Sequence, residues 1–150
     1  MRNKLTFTIA VDYSDTIKPR HFGDADKFLI YEYDNREINF SHELVNAYKT
    51  YDENHGHASR KKGEAIVSYL KEHGVNILVS RQFGKNIKIV SQHFVPVLVS
   101  GDKPHHVIPT LQAHVDTIKA EWEKNTEAYQ HLNLKDTVVQ EKENTRDGRK

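Results

Sequence analysis

The chain has 150 residues, which predicts a single domain large enough to bury its own core. Its 37% apolar and 29% charged content is that of a soluble globule, and a net charge of +1 argues against nucleic-acid binding by bulk electrostatics. No apolar run reaches the roughly 18 residues of a membrane-spanning helix, and zero cysteines exclude a disulfide framework and lead us to expect a reducing, cytoplasmic setting.

The N-terminus begins with basic residues, but its apolar stretch is short and alternating and lacks a small-residue cleavage site, so it reads as a first strand and not a signal peptide. Leu5, Phe7, Ile9 and Val11 alternate with Thr6, Thr8 and Ala10, the period of a strand with one apolar face. A polar stretch from Asp12 to Asp26 follows, punctuated by Pro19 and Gly23. Lys27–Tyr33 and Arg36–His42 read as two strands of a hairpin, with Asp34-Asn35 as its turn. Residues 45–58 have little periodicity and read as a loop. From Ser59 the spacing of Ala65, Ile66, Tyr69 and Leu70 predicts a helix that ends at His73-Gly74, and Val75–Ser80 predicts a short buried strand. Ile87, Val90 and Phe94 recur at near-helical spacing. Phe94–Ser100 is an apolar run whose Pro96 makes it an edge strand or the start of one. Val107/Ile108, Leu111, Val115, Ile118 and Trp122 predict the longest helix, and the mixed charges from residue 135 predict a flexible tail. The domain expected is therefore 1–134, with 135–150 as the tail.

The order β-β-β-α-β-α-β-α implies a mixed five-stranded sheet, order 3-2-1-4-5, with helices on its faces and right-handed crossovers. Strands 1, 3, 4 and 5 then point their carboxyl ends the same way. The loops leaving them are 12–24, 44–58, 81–84 and 101–106. Such loops form the ligand crevice of open α/β sheets. They carry His21, His55, His57, Arg81, Gln82, His105 and His106.

Several segments in order are similar to the dinitrogenase iron–molybdenum cofactor biosynthesis family. They are the IAVD strand (Ile9–Asp12), the HFG triplet (His21-Phe22-Gly23) with Ala25 and the FLIYE strand (Phe28–Glu32), and His55-Gly56-His57. GEAIVSYLKEHGVNILVS (Gly63–Ser80) and Gly84 complete the match, which covers some two-thirds of the chain. The resemblance implies a ribonuclease H-like, three-layer α/β fold, and a role in carrying or inserting nitrogenase metal-cluster precursors. The chain departs from the family pattern at Arg81-Gln82-Phe83, where a small or glycine-rich turn is common, and in its longer C-terminal helix and tail.

His21 is read either as a ligand, as its position in the resemblance implies, or as a loop imidazole packed beside Phe22. His55 and His57 put both rings on one side only if their loop is extended, and imidazole suits iron, zinc or copper. The metal set expected is His21, His55 and His57. His105 and His106 are expected on the surface at a helix start. Arg60, Lys61 and Lys62 fall in the first turn of the helix after His57, where cations oppose the helix dipole. A docked anion such as a metal–sulfur cluster would remove that conflict; a solvated basic run is the plainer reading. Arg81 either complements an anionic cluster or blocks the pocket.

The function expected is a non-enzymatic carrier or chaperone of an iron–sulfur-type cluster, an iron–molybdenum cofactor precursor, or a metal ion. Cluster-assembly proteins are the expected partners, with no nucleic acid and no membrane. One alternative is a metal-free protein-interaction module using the crevice or a sheet edge. Another is a metal-dependent hydrolase or nuclease, which would need acids such as Asp12, Asp15 and Glu32 to converge; Arg81 and Gln82 stand where a further acid would be wanted.

Overall fold

The computed structural model describes residues 4–19, 22–48, 58–84 and 87–135, with the backbone alone for 58–60. Its strands are β1 (Leu5–Val11), β2 (Lys27–Asp34), β3 (Glu37–Val45), β4 (Ile77–Ser80), β5 (Val95–Leu98) and β6 (Leu132–Asn133). Its helices are α1 (Ala58–Glu72), α2 (Ile87–Ser91), α3 (Pro104–Ala113) and α4 (Val115–Trp122), with a 3-10 turn at Phe22–Asp24. The strands form one mixed sheet in the order β3-β2-β1-β4-β5-β6. Only β2 runs against its neighbours; β1, β4, β5 and β6 are parallel. The carboxyl ends of β1, β3, β4 and β5 therefore lie together, as the sequence predicts.

Side-chain alternation divides the core into two layers. Leu5, Phe7, Ile9 and Val11 join Ile77, Val79, Val95 and Val97 under Val107 and Leu111 of α3 and Val115 and Ile118 of α4. On the opposite face Ala10, Phe28, Ile30 and Leu78 pack against Ile66, Val67 and Leu70 of α1 and Val90 of α2. Each strand residue serves one layer, and the parallel strand β4 is buried on both faces. α1 ends as expected. Gly74, at φ 77°, donates its N–H to Lys71 O and Val75 donates to Leu70 O, closing a Schellman cap, with Leu70 and Val75 buried in the same layer.

Four expectations are corrected. The sheet has six strands, not five: β6 adds in parallel to β5 at Val97 and Leu98, and two residues are too few to carry a period. Consequently β5 is not the outermost strand. Val95 and Val99 donate N–H groups toward Asn76 O and Ser80 O, so the missing N–H of Pro96 faces away from β4, opposite a stretch that β6 leaves unpaired. The hairpin turn is Asn35-Arg36, one residue later than expected; φ is 52° and 69°, as a type I′ turn requires. Finally, the expected longest helix is two. His114 leaves helical geometry (φ −113°, ψ 15°) and its N–H divides between Thr110 O and Leu111 O, so among the described residues the 15-residue α1 is the longest helix. The expected tail falls on residues 136–150, outside those described.

Candidate functional site

The 3-10 turn after the first loop is fastened at one corner of the carboxyl-end face. Phe22 is fully buried and meets Phe83, from the loop after β4, with ring centroids 6.1 Å apart. Gly23 lies over α1; a Cβ there would make ordinary contact with Lys62 Cε at 3.5 Å and Ile66 Cδ1 at 3.6 Å. Asn46, buried just after β3, donates Nδ2 to Gly23 O (3.1 Å) and Ala25 O (2.8 Å) and accepts from the Tyr48 N–H (3.0 Å). One amide side chain thus ties the loop after β1 to the loop after β3. Lys62 Nζ reaches Asp24 Oδ1 at 2.9 Å, its side chain only 12% exposed.

A second set of bonds organises the rest of the face. Asp12 Oδ1 accepts from the Ser14 amide and hydroxyl and the Thr16 amide, at 2.7–2.9 Å. Burial works against this carboxylate, but those donors and Lys18 outweigh it and hold its pKa down to about 2. Ile17 donates its N–H to Asp102 O (2.8 Å) and accepts from Arg81 Nη1 at 3.0 Å, while Lys103 Nζ donates to Thr16 Oγ1 at 2.7 Å. The loops after β1, β4 and β5 are therefore one bonded unit.

His21, His55 and His57 lie outside the described residues, as does the side chain of Arg60. What the structure gives is their flanks: Phe22–Asp24, which follows His21, contacts α1, which begins directly after His57. Arg81 braces the first loop through the Ile17 carbonyl, and it is half-buried. Gln82 accepts at its backbone oxygen from Ser80 Oγ. His105 and His106 are exposed at the start of α3, their rings 4.2 Å apart. That helix covers the opposite layer, so these two do not join the corner at α1. The basic run is partly neutralised from within, because Asp24 supplies Lys62 with an anion.

Sequence reasoning missed two residues. Nothing in the sequence separates Asn46 from the other polar residues of the 45–58 loop. His131 stands edge-on to Phe83 at 6.4 Å, brought there by β6; burial and the Lys135 ammonium lower its pKa, which favours the neutral ring.

The acids do not converge as a nuclease would need. Glu32 pairs with Lys4 at 3.2 Å and stands opposite Thr6, six positions along β1 from Asp12 and hence about 20 Å away. Asp15 is held by Lys27 at 2.9 Å. Among the described residues no three His, Asp or Glu side chains gather as a metal site, and no described helix is long and apolar enough to cross a membrane.

No curated protein matches the chain. A family model does: that of the dinitrogenase iron-molybdenum cofactor matches residues 4–114, from the start of β1 to the end of α3. With most of its length matched, the chain belongs to the dinitrogenase iron-molybdenum cofactor family.

Proposed function

We propose that this protein is a non-enzymatic carrier of an iron–sulfur-type cluster, of the kind that precedes the iron–molybdenum cofactor, working in the cytoplasm alongside cluster-assembly proteins. His21, His55 and His57 are the proposed ligands, with Arg60 and Arg81 as cationic support and residues 1–134 as the functional domain. The observation that carries the reading is the corner where Asn46 and the Asp24–Lys62 pair bind the turn after His21 to the loop before His57 and to α1. Chain segments flanking both histidine motifs are thereby anchored at one corner of the carboxyl-end face, the end at which open α/β sheets hold their ligands. The 3-2-1-4-5 core of the sheet, with β2 alone reversed, supports the ribonuclease H-like assignment. Family membership supports a cofactor-handling role.

With no cysteine, cargo would rest on imidazole nitrogen and backbone groups, a set suited to transfer more than to permanent storage. Anaerobic titration of the purified chain with ferrous iron or a synthetic iron–sulfur cluster, followed by absorbance, tests the proposal. Saturable binding that is lost in His21→Ala/His57→Ala supports it. Identical curves for the two proteins sink it.

A further inference from the structure

Strand β3 ends the sheet, and among the described residues no strand lies beyond it. Its outward direction is fixed by one bond: Ile38 N–H donates away from β2 to Gln112 Oε1 at 3.0 Å, and Gln112 Nε2 reaches Arg36 O at 2.9 Å. Helix α3 therefore covers the beginning of the edge. Alternation along an antiparallel ladder turns the backbone groups of Phe40 outward as well, two residues past that cover. Phe40 and Val45 are 55% and 58% exposed, unusual for large apolar side chains on a strand.

Beside this edge is a cavity of about 640 Å³, floored by Leu29, Tyr31, Phe40, Ile108 and the prolines of α3. Tyr31 and Phe40 meet edge to face in it at 5.5 Å. Exposed strand edges are ordinarily guarded by lysine, proline or a bulge. β3 has no Lys, Arg or Pro; α3 covers its beginning, the Tyr69 hydroxyl donates to Val45 O at its end, and the register shift at Ser41 divides what remains, which limits added pairing to short runs around Phe40 and Glu43.

We propose that the β3 edge takes up an extended, lysine- or arginine-bearing segment of a partner protein as an added strand, with one apolar side chain of that segment seated in the cavity. A free edge gives main-chain hydrogen bonds and the adjoining pocket reads alternate side chains, the two halves of recognition by strand addition. Charge selects the occupant. The strand carries Glu37 and Glu43, and Asp15 stands on the cavity rim. Lys27 bridges Asp15 and Glu43, at 2.9 and 3.0 Å. Lys103 adds a second cation farther round the rim, so the acidic bias that selects the occupant is that of β3 itself, whose Glu37 and Glu43 face no Lys or Arg within the strand. A second copy of this chain would lay an acidic strand against an acidic strand; a basic segment would not.

The test uses the full-length, metal-free chain, isotope-labelled for NMR, and a blocked peptide alternating lysine with valine about one central phenylalanine. Expected are saturable shifts centred on β3 and the Tyr31–Phe40 cavity. Binding should weaken by about tenfold or more for a peptide N-methylated at alternate residues, for one with glutamate in place of lysine, and for the Phe40→Lys chain. Unchanged β1 shifts in Phe40→Lys show that it is folded. The proposal is overturned if the N-methylated or glutamate peptide binds equally well, if shifts fall away from β3, or if the chain instead pairs with itself through β3. Loss of cluster binding by the histidine variant leaves this result unmoved, so the two proposals fail separately.

Discussion

Replacing Asn46 by alanine should loosen the corner on which the proposed site depends. The side chain makes three hydrogen bonds in a buried setting, two as donor to Gly23 O and Ala25 O and one as acceptor from Tyr48 N–H. Each is worth about 1 kcal/mol net, and carbonyls left unmet add desolvation cost, so a loss of roughly 2–4 kcal/mol is expected. In urea that lowers the midpoint by about 1–2 M, with an m-value of around 2 kcal/mol/M for a domain of this size. Asn46→Asp separates the contributions. It keeps the acceptor for Tyr48 but turns a carboxylate oxygen toward two carbonyls, so at pH 7 it should cost at least as much as alanine. That environment raises the carboxyl pKa in the folded state, so the deficit of Asn46→Asp relative to the natural chain should shrink as pH falls toward 4, where the protonated acid can donate once more. Denaturation of the three proteins at pH 7 and pH 4.5 decides the matter. A loss below about 0.5 kcal/mol for alanine, or a pH-independent deficit for aspartate, would refute the clamp.

Arg36 occupies a left-handed backbone position, φ 69°, that costs a side chain with a Cβ about 1 kcal/mol. Arg36→Gly should therefore raise stability by about that amount, since the bond to Gln112 uses only the backbone oxygen, and a lowered melting temperature would contradict the turn assignment. Asp12, held down to about 2 from an ordinary 3.8, and Glu121, held below its usual range because Gln130 N–H and Lys124 outweigh its burial, both have depressed folded-state values. Their contribution is complete above the unfolded values and is lost as pH falls through the folded ones. Denaturation midpoints should accordingly drop between about pH 4 and 2, and drop less steeply in Asp12→Asn; parallel pH profiles would show that Asp12 does not carry the effect.

Where a period exists in the sequence, it reads directly as structure. The alternation from Leu5 to Val11 assigns one face of β1, the hairpin reverses β2, and the Gly74 cap with the buried run after it forces β4 alongside β1. Sheet order follows from those three facts. The errors fall where local signal is weak or contradicts its setting. β6 has two residues and no period. The turn at Asn35-Arg36 places arginine where glycine would be the signal, so the more turn-like Asp34-Asn35 misleads by one position. His114 interrupts a helical spacing that continues past it unbroken, because α3 and α4 cover the same layer with the same 3–4 rhythm.

The site is less legible for a different reason: its bonds join residues far apart in the chain. Lys62 reads as part of a basic run, and only the tertiary fold puts Asp24 beside it, 38 residues upstream. Arg81 reads as a cation awaiting an anion, yet its guanidinium supports the carbonyl of Ile17, 64 residues away. The first interaction neutralises a charge that the sequence offers to a cluster, and the second commits a guanidinium donor without changing its charge. Cargo binding would therefore depend less on electrostatics than on the geometry of the loops. Asn46 and the 3-10 turn hold the histidine-flanking segments at one corner, while His105 and His106, the pair more evident as a histidine doublet, are carried by α3 to the other layer. A carrier built this way would hold its ligand beside a Lys62 already paired with Asp24 and an Arg81 already committed to a carbonyl, so the imidazoles would have to supply most of the grip.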